Sequence, residues 1–168
     1  MMRRLSIAAA LSLLTACGSA DAAPDTREPQ TLAATTPAQT LPTVVVYKTA
    51  TCGCCSGWVE HMRAAGFTVD ARDLPSNTEL MRVKVDAGVP GAMATCHTAL
   101  VDGYVVEGHV PADQVKRLLA ERPEVAGIAV PGMPIGSPGM EGPGAQPYRV
   151  HSFDRQGGSA VFAEVDPR

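Results

Sequence analysis

The chain has 168 residues, of which 45% are hydrophobic and 4% aromatic, and its formal net charge is -3. This length predicts one small folded domain, and the charge balance argues against a protein that coats nucleic acid. Sixteen glycines and fourteen prolines are too many for an all-helical bundle, whereas the hydrophobic fraction is too high for a wholly disordered chain. Five cysteines are an odd number, so one stays unpaired if the others form disulfides within the chain.

The N-terminus has the organisation of a secretory signal peptide. A basic start precedes the apolar run of residues 5–14, which is too short to span a bilayer as a helix. The run ends at Leu14-Thr15-Ala16-Cys17, which resembles the lipobox of bacterial lipoproteins. We therefore predict a signal peptide over residues 1–16 and lipidation of Cys17, giving an exported lipoprotein that faces the periplasm. Ordinary cleavage after residues 20–22 is the alternative, and it would release a soluble periplasmic protein.

The next segment is predicted to be a tether. Residues 18–42 are rich in Ala, Thr and Pro and contain no aromatic residue, Val or Ile, so they cannot build a core. We assign residues 17–42 to a disordered tether that begins at the lipid anchor, and residues 43–168 to the folded domain.

The first half of the folded domain alternates strands and helices. A β-branched run over residues 43–48 predicts a buried strand, and the cysteine-rich turn 52–57 leads into a helix that ends at Gly66. Residues 67–71 alternate like a second strand, and residues 77–88 have the pattern of a second helix. The cysteine cluster therefore lies at a strand-to-helix turn.

The second half is predicted to add a hairpin, a helix and a terminal hairpin. Residues 96–101 and 104–107 flank Asp102-Gly103, a strong signal for a two-residue hairpin turn. A third helix is predicted from Pro111 to Arg122. The Gly/Pro/Met-rich segment 127–147 is expected to have no regular structure, and a terminal hairpin is predicted that docks on the main sheet, with strands over residues 148–153 and 160–165.

This order of elements predicts an α/β fold that resembles thioredoxin: a thioredoxin-like sheet with flanking helices, a Gly/Pro/Met-rich loop and a C-terminal β-hairpin. In the thioredoxin pattern a cis-proline precedes the third strand and faces the active-site turn. That position falls at about Thr95, and no proline occupies it. The absence of this proline weakens the case for a general disulfide exchanger and keeps a metal-binding function open.

Cys52, Cys54 and Cys55 carry the strongest chemical signal of the sequence. A thiol in the first turn of a helix lies near the positive end of the helix dipole, which favours its thiolate form. Cys52 and Cys55 have the C-x-x-C spacing of dithiol enzymes, but such an enzyme does not need the third sulfur of Cys54. Because crowded thiolates repel one another unless a cation offsets their charge, the cluster favours a soft metal. Cys96 lies beside position 95, so we expect it to reach the cluster.

Several motifs in order resemble the small exported copper-resistance proteins of the CopG type. The match covers roughly residues 44–141 and includes Tyr-Lys-Thr before C-x-C-C-x-x-W, Ala-Thr-Cys-His-Thr-Ala at 94–99, the segment 103–111 and Ala-Val-Pro-Gly-Met-Pro at 129–134. The resemblance implies a thioredoxin-like fold, copper bound by the C-x-C-C cysteines with the later cysteine, and a role in copper redox handling. By that resemblance the copper ligands are Cys52, Cys54, Cys55 and Cys96.

Thioether and imidazole groups extend the list of metal candidates. Met133 and Met140 lie in the loop predicted to fold over the cysteine end, and thiolate with thioether sulfur suits Cu(I). Core filling or loop contact is the alternative for each methionine. His109 is expected either to face the cluster or to cap the next helix. His97 follows Cys96 in the predicted strand, so its side chain is expected on the opposite face.

Three classes of function compete. The first is an exported copper-binding redox protein, in which the cluster thiolates hold Cu(I) and electron exchange or thiol oxidation changes the copper state. Its expected partners are periplasmic copper-handling or redox proteins. The second is a thiol-disulfide oxidoreductase in which Cys52 attacks and Cys55 resolves. The third is a structural site, either zinc held by four cysteines or two disulfides, although adjacent Cys54 and Cys55 make pairwise disulfides awkward.

Overall fold

The computed structural model describes residues 40–168. The predicted signal peptide, Cys17 and residues 17–39 of the predicted tether therefore lie outside the described residues. The described chain forms ten elements: β1 (Val44–Thr49), α1 (Gly53–Ala64), β2 (Val69–Leu74), α2 (Asn77–Asp86), β3 (Thr98–Val101), β4 (Tyr104–Glu107), α3 (Ala112–Glu121), β5 (Gly127–Ala129), β6 (Tyr148–Phe153) and β7 (Ser159–Val165).

All seven strands join one mixed sheet in the order β2-β1-β3-β4-β5-β6-β7. β1 pairs with β2 in parallel and with β3 antiparallel, and β3 and β4 form the predicted hairpin. β6 and β7 form the predicted terminal hairpin, which docks on the main sheet through β5. The mixed α/β class with flanking helices and a C-terminal strand pair is confirmed.

The segment 127–147 differs from the prediction, because its first residues form a strand. β5 lies parallel to β4 and antiparallel to β6, so it joins the terminal hairpin to the rest of the sheet. A Cβ atom at Gly127 would overlap the carbonyl oxygen of Val105, so glycine permits this close approach. Three residues are too few for alternation to be recognised in a sequence rich in Gly and Pro.

β2 also differs from its predicted bounds of 67–71. It is an edge strand, and its residues 70–73 are exposed, so hydrophobic alternation does not mark it. Phe67, taken as a strand residue from the sequence, instead precedes the strand and packs into the core.

The core lies mainly between the sheet and the two helices α1 and α3. Trp58 and Met62 of α1 and Leu118 of α3 pack with sheet residues such as Val46 and Val106. A smaller cluster of Met93, Val105, Ala129 and Phe153 packs elsewhere on the sheet. Because neighbouring strand residues alternate between faces, Val105 and Glu107 lie on the face opposite Val106.

The ends of three central strands place the candidate site. Tyr47 of β1 pairs with Thr98, and Thr98 pairs with Glu107 at the end of β4. The turn after β1, the turn before β3 and the segment after β4 therefore meet at one edge of the sheet. Within residues 40–168, no helix is long and apolar enough to cross a membrane.

Candidate metal centre

One half of the site is the first turn of α1, here called the helix arm and consisting of Cys52, Cys54 and Cys55. Cys52 is the N-cap residue, and its Sγ accepts the backbone N–H of Cys55 at 3.3 Å. Cys52 and Cys55 form a disulfide, and the Sγ of Cys54 lies 3.5 Å from that of Cys52. Cys55 is buried, whereas Cys52 and Cys54 are partly exposed. The arrangement presents a dithiol pair in its oxidised form beside a third, free thiol.

The other half, here called the strand arm, consists of Cys96, His97 and His109. The Sγ of Cys96 lies 2.8 Å from Nε2 of His109 and 3.5 Å from Nδ1 of His97. The two imidazole rings lie 5.1 Å apart, edge to face, and both are buried. Cys96 and Cys54 are the free cysteines of the described chain.

The hydrogen-bond partners of His109 determine its tautomer, and so which ring nitrogen directs a lone pair at Cys96. Nδ1 lies 2.7 Å from the carbonyl oxygen of Pro138, which can only accept, so Nδ1 carries the proton. Burial lowers the pKa of His109 and keeps the ring neutral. Nε2 therefore offers its lone pair towards Cys96, as a metal-binding histidine does when its other nitrogen is held by a carbonyl.

The two arms meet in one cluster. The four sulfur atoms of Cys52, Cys54, Cys55 and Cys96 all lie within 4.8 Å of one another, and so do the ligand atoms of the strand arm. Cys96 belongs to both groups. The structure thus brings Cys96 to the C-x-C-C turn, where the sequence placed it, and puts His109 against it.

The position of His97 differs from the sequence expectation. Its side chain does not turn away from the site, because β3 begins at Thr98 and strand alternation does not apply at Cys96 and His97. The ring lies 4.6 Å from Trp58, and its Nε2 is buried without a hydrogen-bond partner. Burial lowers the pKa of His97 well below its ordinary range, so the ring is neutral. A ring nitrogen of His97 can therefore bind a metal ion at the inner side of the cluster.

Electrostatics at Cys96 favour a proton or a metal cation on its sulfur. Burial, followed by the neighbouring Cys54, raises the pKa of Cys96 to about 12. At neutral pH the metal-free thiol keeps its proton, and a soft cation that replaces the proton offsets the desolvation cost of the partly buried thiolate. Thiolate sulfur with neutral imidazole is a donor set that suits copper, so the residues present fit this metal.

The loop after β5 packs directly on the helix arm. A Cβ atom at Gly139 would lie 2.7 Å from the backbone nitrogen of Trp58 and would also overlap the carbonyl oxygen of Cys54. The loop therefore touches both arms, through Gly139 on α1 and through Pro138 on His109. Met133 is 51% exposed and Met140 is partly buried. Their role as metal ligands stays a prediction.

Sequence reasoning did not predict two contacts that support the site, although Trp58 itself was part of the C-x-C-C-x-x-W motif. Trp58 is fully buried, and its Nε1 donates to the carbonyl oxygen of Val110, which ties α1 to the segment after β4. Lys84 and Glu107 form a buried ion pair behind the strand arm. A signal for Lys84 was present, because it follows Leu80 by four residues and so falls on the buried face of α2.

Comparisons with known proteins place the chain in a family. Residues 93–140, which contain Cys96 and His109, match the family model "Protein of unknown function, DUF411". A solved structure of a copper resistance protein CopG, Form 1, is 42% identical, with a TM-score of 0.68, and the match covers 74% of this chain and 98% of that one. The chain belongs to the CopG family of copper resistance proteins.

A second solved structure supports the same membership. Form 2 of the CopG protein is also 42% identical, with a TM-score of 0.69, and the match covers 75% of this chain and 99% of that one. No curated protein matches the chain. The relatives and the cysteine cluster together support a role in copper resistance.

Proposed function

We propose that this protein binds copper as Cu(I) at the junction of its two arms. The observation that carries the proposal is the convergence of four cysteine sulfurs within 4.8 Å, with Nε2 of His109 directed at one of them. Soft sulfur donors and imidazole favour Cu(I) over harder cations. In the reduced protein Cys52, Cys54, Cys55 and Cys96 supply thiolates, and Met133 and Met140 are candidate thioether donors at the loop.

We further propose that the Cys52–Cys55 pair exchanges electrons with copper. In this step each of two Cu(II) ions takes one electron, the two thiols lose two electrons and two protons, and one S–S bond forms. The products are two Cu(I) ions and the disulfide. Support comes from the position of the disulfide, whose sulfur atoms lie within 4.8 Å of the free thiols of Cys54 and Cys96. Those free thiols and His109 would hold Cu(I) after the dithiol has been oxidised to the disulfide.

Metal stoichiometry under anaerobic conditions tests the copper site. The reduced domain, residues 40–168, is loaded with Cu(I), and bound copper is counted for wild type and for Cys96→Ser. We expect bound copper in wild type and a clear loss in Cys96→Ser, because Cys96 belongs to both donor groups. His109→Gln should weaken Cu(I) binding, whereas His151→Gln, on β6, should not. An empty or zinc-filled site with all thiols reduced would contradict the proposal.

The electron transfer has a separate test. Cu(II) added to the reduced protein should yield one disulfide for every two Cu(I) ions formed, counted by thiol titration and by a Cu(I)-specific chelator. Cys55→Ser should abolish this stoichiometry and keep Cu(I) binding through Cys54, Cys96 and His109. Disulfide formation without Cu(I) would sink the redox step.

A thiol-disulfide oxidoreductase is the second candidate, because the Cys52–Cys55 disulfide lies at a helix N-terminus as such enzymes require. Cys52 would attack a substrate disulfide and Cys55 would resolve the mixed disulfide. Insulin reduction that survives the change of both Cys54 and Cys96 to Ser would favour this candidate over copper chemistry.

We also propose export to the periplasm with a lipid on Cys17, so that the membrane is reached through the anchor. The support is the sequence of residues 1–17, with its basic start, short apolar run and lipobox-like end. Mass spectrometry of the mature protein tests this. A diacylglyceryl adduct on an N-terminal Cys17 is expected, and a mature N-terminus after residue 20 would contradict the anchor.

A further inference from the structure

A buried ion pair lies behind the strand arm. Nζ of Lys84 on α2 lies 2.6 Å from Oε1 of Glu107 at the end of β4, and the two side chains are 3% and 0% exposed. Removing two charges from water is costly, and well-packed apolar residues often stabilise a fold as well as a buried ion pair or better. Folding stability alone therefore does not explain the pair.

The carboxylate of Glu107 has a further partner at the metal centre. Oε1 accepts the backbone N–H of Thr95 at 2.7 Å, and Oε2 accepts the hydroxyl of Thr98 at 2.7 Å. Nζ of Lys84 also donates to the Thr98 hydroxyl at 3.0 Å. The Thr95 contact ties this network to the turn that presents Cys96, and the Thr98 contacts tie it to the first residue of β3.

Three contacts join that turn to the last residue of β4 and the two residues that follow it. Besides the bond from Thr95 to Glu107, the backbone N–H of Gly108 donates to the carbonyl oxygen of His97 at 3.0 Å. The third contact joins Cys96 Sγ to His109. The two segments approach so closely that a Cβ atom at Gly108 would overlap the side chain of Thr95. Residues 107–109 thus act as a template for the turn that presents Cys96.

We propose that Glu107 is a positioning residue of the metal centre, which holds the Thr95 N–H and thereby fixes Cys96 against His109, while Lys84 and Thr98 hold the carboxylate. This inference rests on the proposed copper function for its consequence, although the positioning itself does not require a metal. Groups that orient metal ligands typically change metal affinity about 10- to 100-fold when they are mutated.

Two double variants separate positioning from stability. A single change would leave one buried charge unpaired and would destabilise the fold. Lys84→Met with Glu107→Gln removes both charges and keeps an acceptor for Thr95, whereas Lys84→Met with Glu107→Leu removes both charges and the acceptor. We expect Cu(I) affinity close to wild type in the Gln variant and about 10- to 100-fold weaker in the Leu variant, measured by anaerobic competition with a chromophoric Cu(I) chelator.

A metal-free measurement keeps the test independent of the proposed function. In the oxidised protein the alkylation rates of Cys96 and Cys54 are followed by peptide mass spectrometry, with Cys54 of the helix arm as internal control. We expect faster alkylation of Cys96 in the Leu variant only, and unchanged Cys54 in both. Equal Cys96 rates in the two variants would overturn the positioning role. Absence of Cu(I) binding in wild type would instead refute the copper function, and the alkylation rates would still decide the role of Glu107.

Discussion

The helix arm takes its geometry from four consecutive residues, whereas the strand arm joins residues that are thirteen positions apart in the chain. Cys52 caps α1 with its own sulfur and bonds covalently to Cys55, so local chain geometry alone sets the distances between the helix-arm sulfurs. Cys96 and His109 meet only because β3 and β4 pair and because Gly108 permits close approach.

This difference separates the chemistry of the two arms. Cys52 and Cys54 of the helix arm are partly exposed, so a partner or a copper ion can reach the arm that contains the disulfide-bonded pair. In the strand arm both histidines are buried and Cys96 is partly exposed. Its protonated thiol and two neutral imidazoles suit Cu(I) and carry no charge that must be compensated before the metal binds. The helix arm contains two sulfurs joined in a disulfide, whereas the sulfur of the strand arm is a free thiol beside two imidazoles.

The largest effect is expected where the arms are joined, at Trp58. Its ring packs against His97 and its Nε1 donates to Val110 at 2.8 Å. Trp58→Ala should lower the free energy of unfolding by about 3–5 kcal/mol, as measured by urea unfolding. Met81→Ala, at a half-exposed site on α2, serves as control and should change stability by less than about 0.5 kcal/mol. A small effect at Trp58 would mean that the arms are stabilised independently.

A smaller effect is expected at the contact between the loop and the helix arm. Gly139 and Gly144 have nearly the same positive φ, 82° and 84°, but an added Cβ meets backbone atoms of α1 only at Gly139. Both Gly→Ala changes carry the cost of a left-handed residue, and Gly139→Ala should add about 1–3 kcal/mol for overpacking.

Urea unfolding of the two alanine variants measures this difference. Gly139→Ala should also weaken Cu(I) binding, because the shift of the loop moves the Pro138 carbonyl that orients His109. Equal losses of stability in the two variants would show that the loop shifts to accommodate the added methyl group at no cost in free energy, and that its contact with α1 does not stabilise the helix arm.

The sequence was sufficient for the helix arm and for most of the fold. The β-branched run, the C-x-C-C turn and the Asp102-Gly103 hairpin are local signals, and each predicted the correct element because neighbouring residues decide such structures. Cys96 was placed near the cluster by the thioredoxin pattern, in which the position before the third strand faces the active-site turn, and in the structure the pairing of β1 with β3 brings it there.

The geometry of the strand arm could not be predicted from local sequence patterns. His97 was expected to face away because the strand was predicted to start at Cys96, and a shift of two residues in that boundary removes the alternation on which the expectation depended. The ion pair of Lys84 and Glu107 joins a helix to a strand through tertiary packing, and no spacing rule connects positions so far apart. β5 was not predicted for a similar reason, because its pairing with β4 and β6 determines it more than its own three residues do.

The smallest predicted effect is a pH dependence at the far end of α1. Nε2 of His61 accepts the backbone N–H of Ala112, which begins α3 without a side-chain cap of its own. Burial lowers the pKa of His61, against the opposing charges of Glu141 and Asp113. In the unfolded chain His61 is protonated as the pH falls through about 6.5, whereas in the folded domain it is protonated only at lower pH. The contribution of neutral His61 to stability is therefore present above about pH 6.5 and is lost as the pH falls below it.

Urea unfolding of the metal-free domain between pH 7.5 and 5 tests the role of His61. His61→Gln should reduce the loss of stability on acidification, and His151→Gln should leave the wild-type slope. Because a helix cap contributes about 1 kcal/mol and His61 is partly exposed, the two variants should differ by less than about 1 kcal/mol in the stability they lose between these pH values. An acid response that is identical in wild type and His61→Gln would show that the bond from Ala112 to His61 does not contribute to the pH dependence of stability.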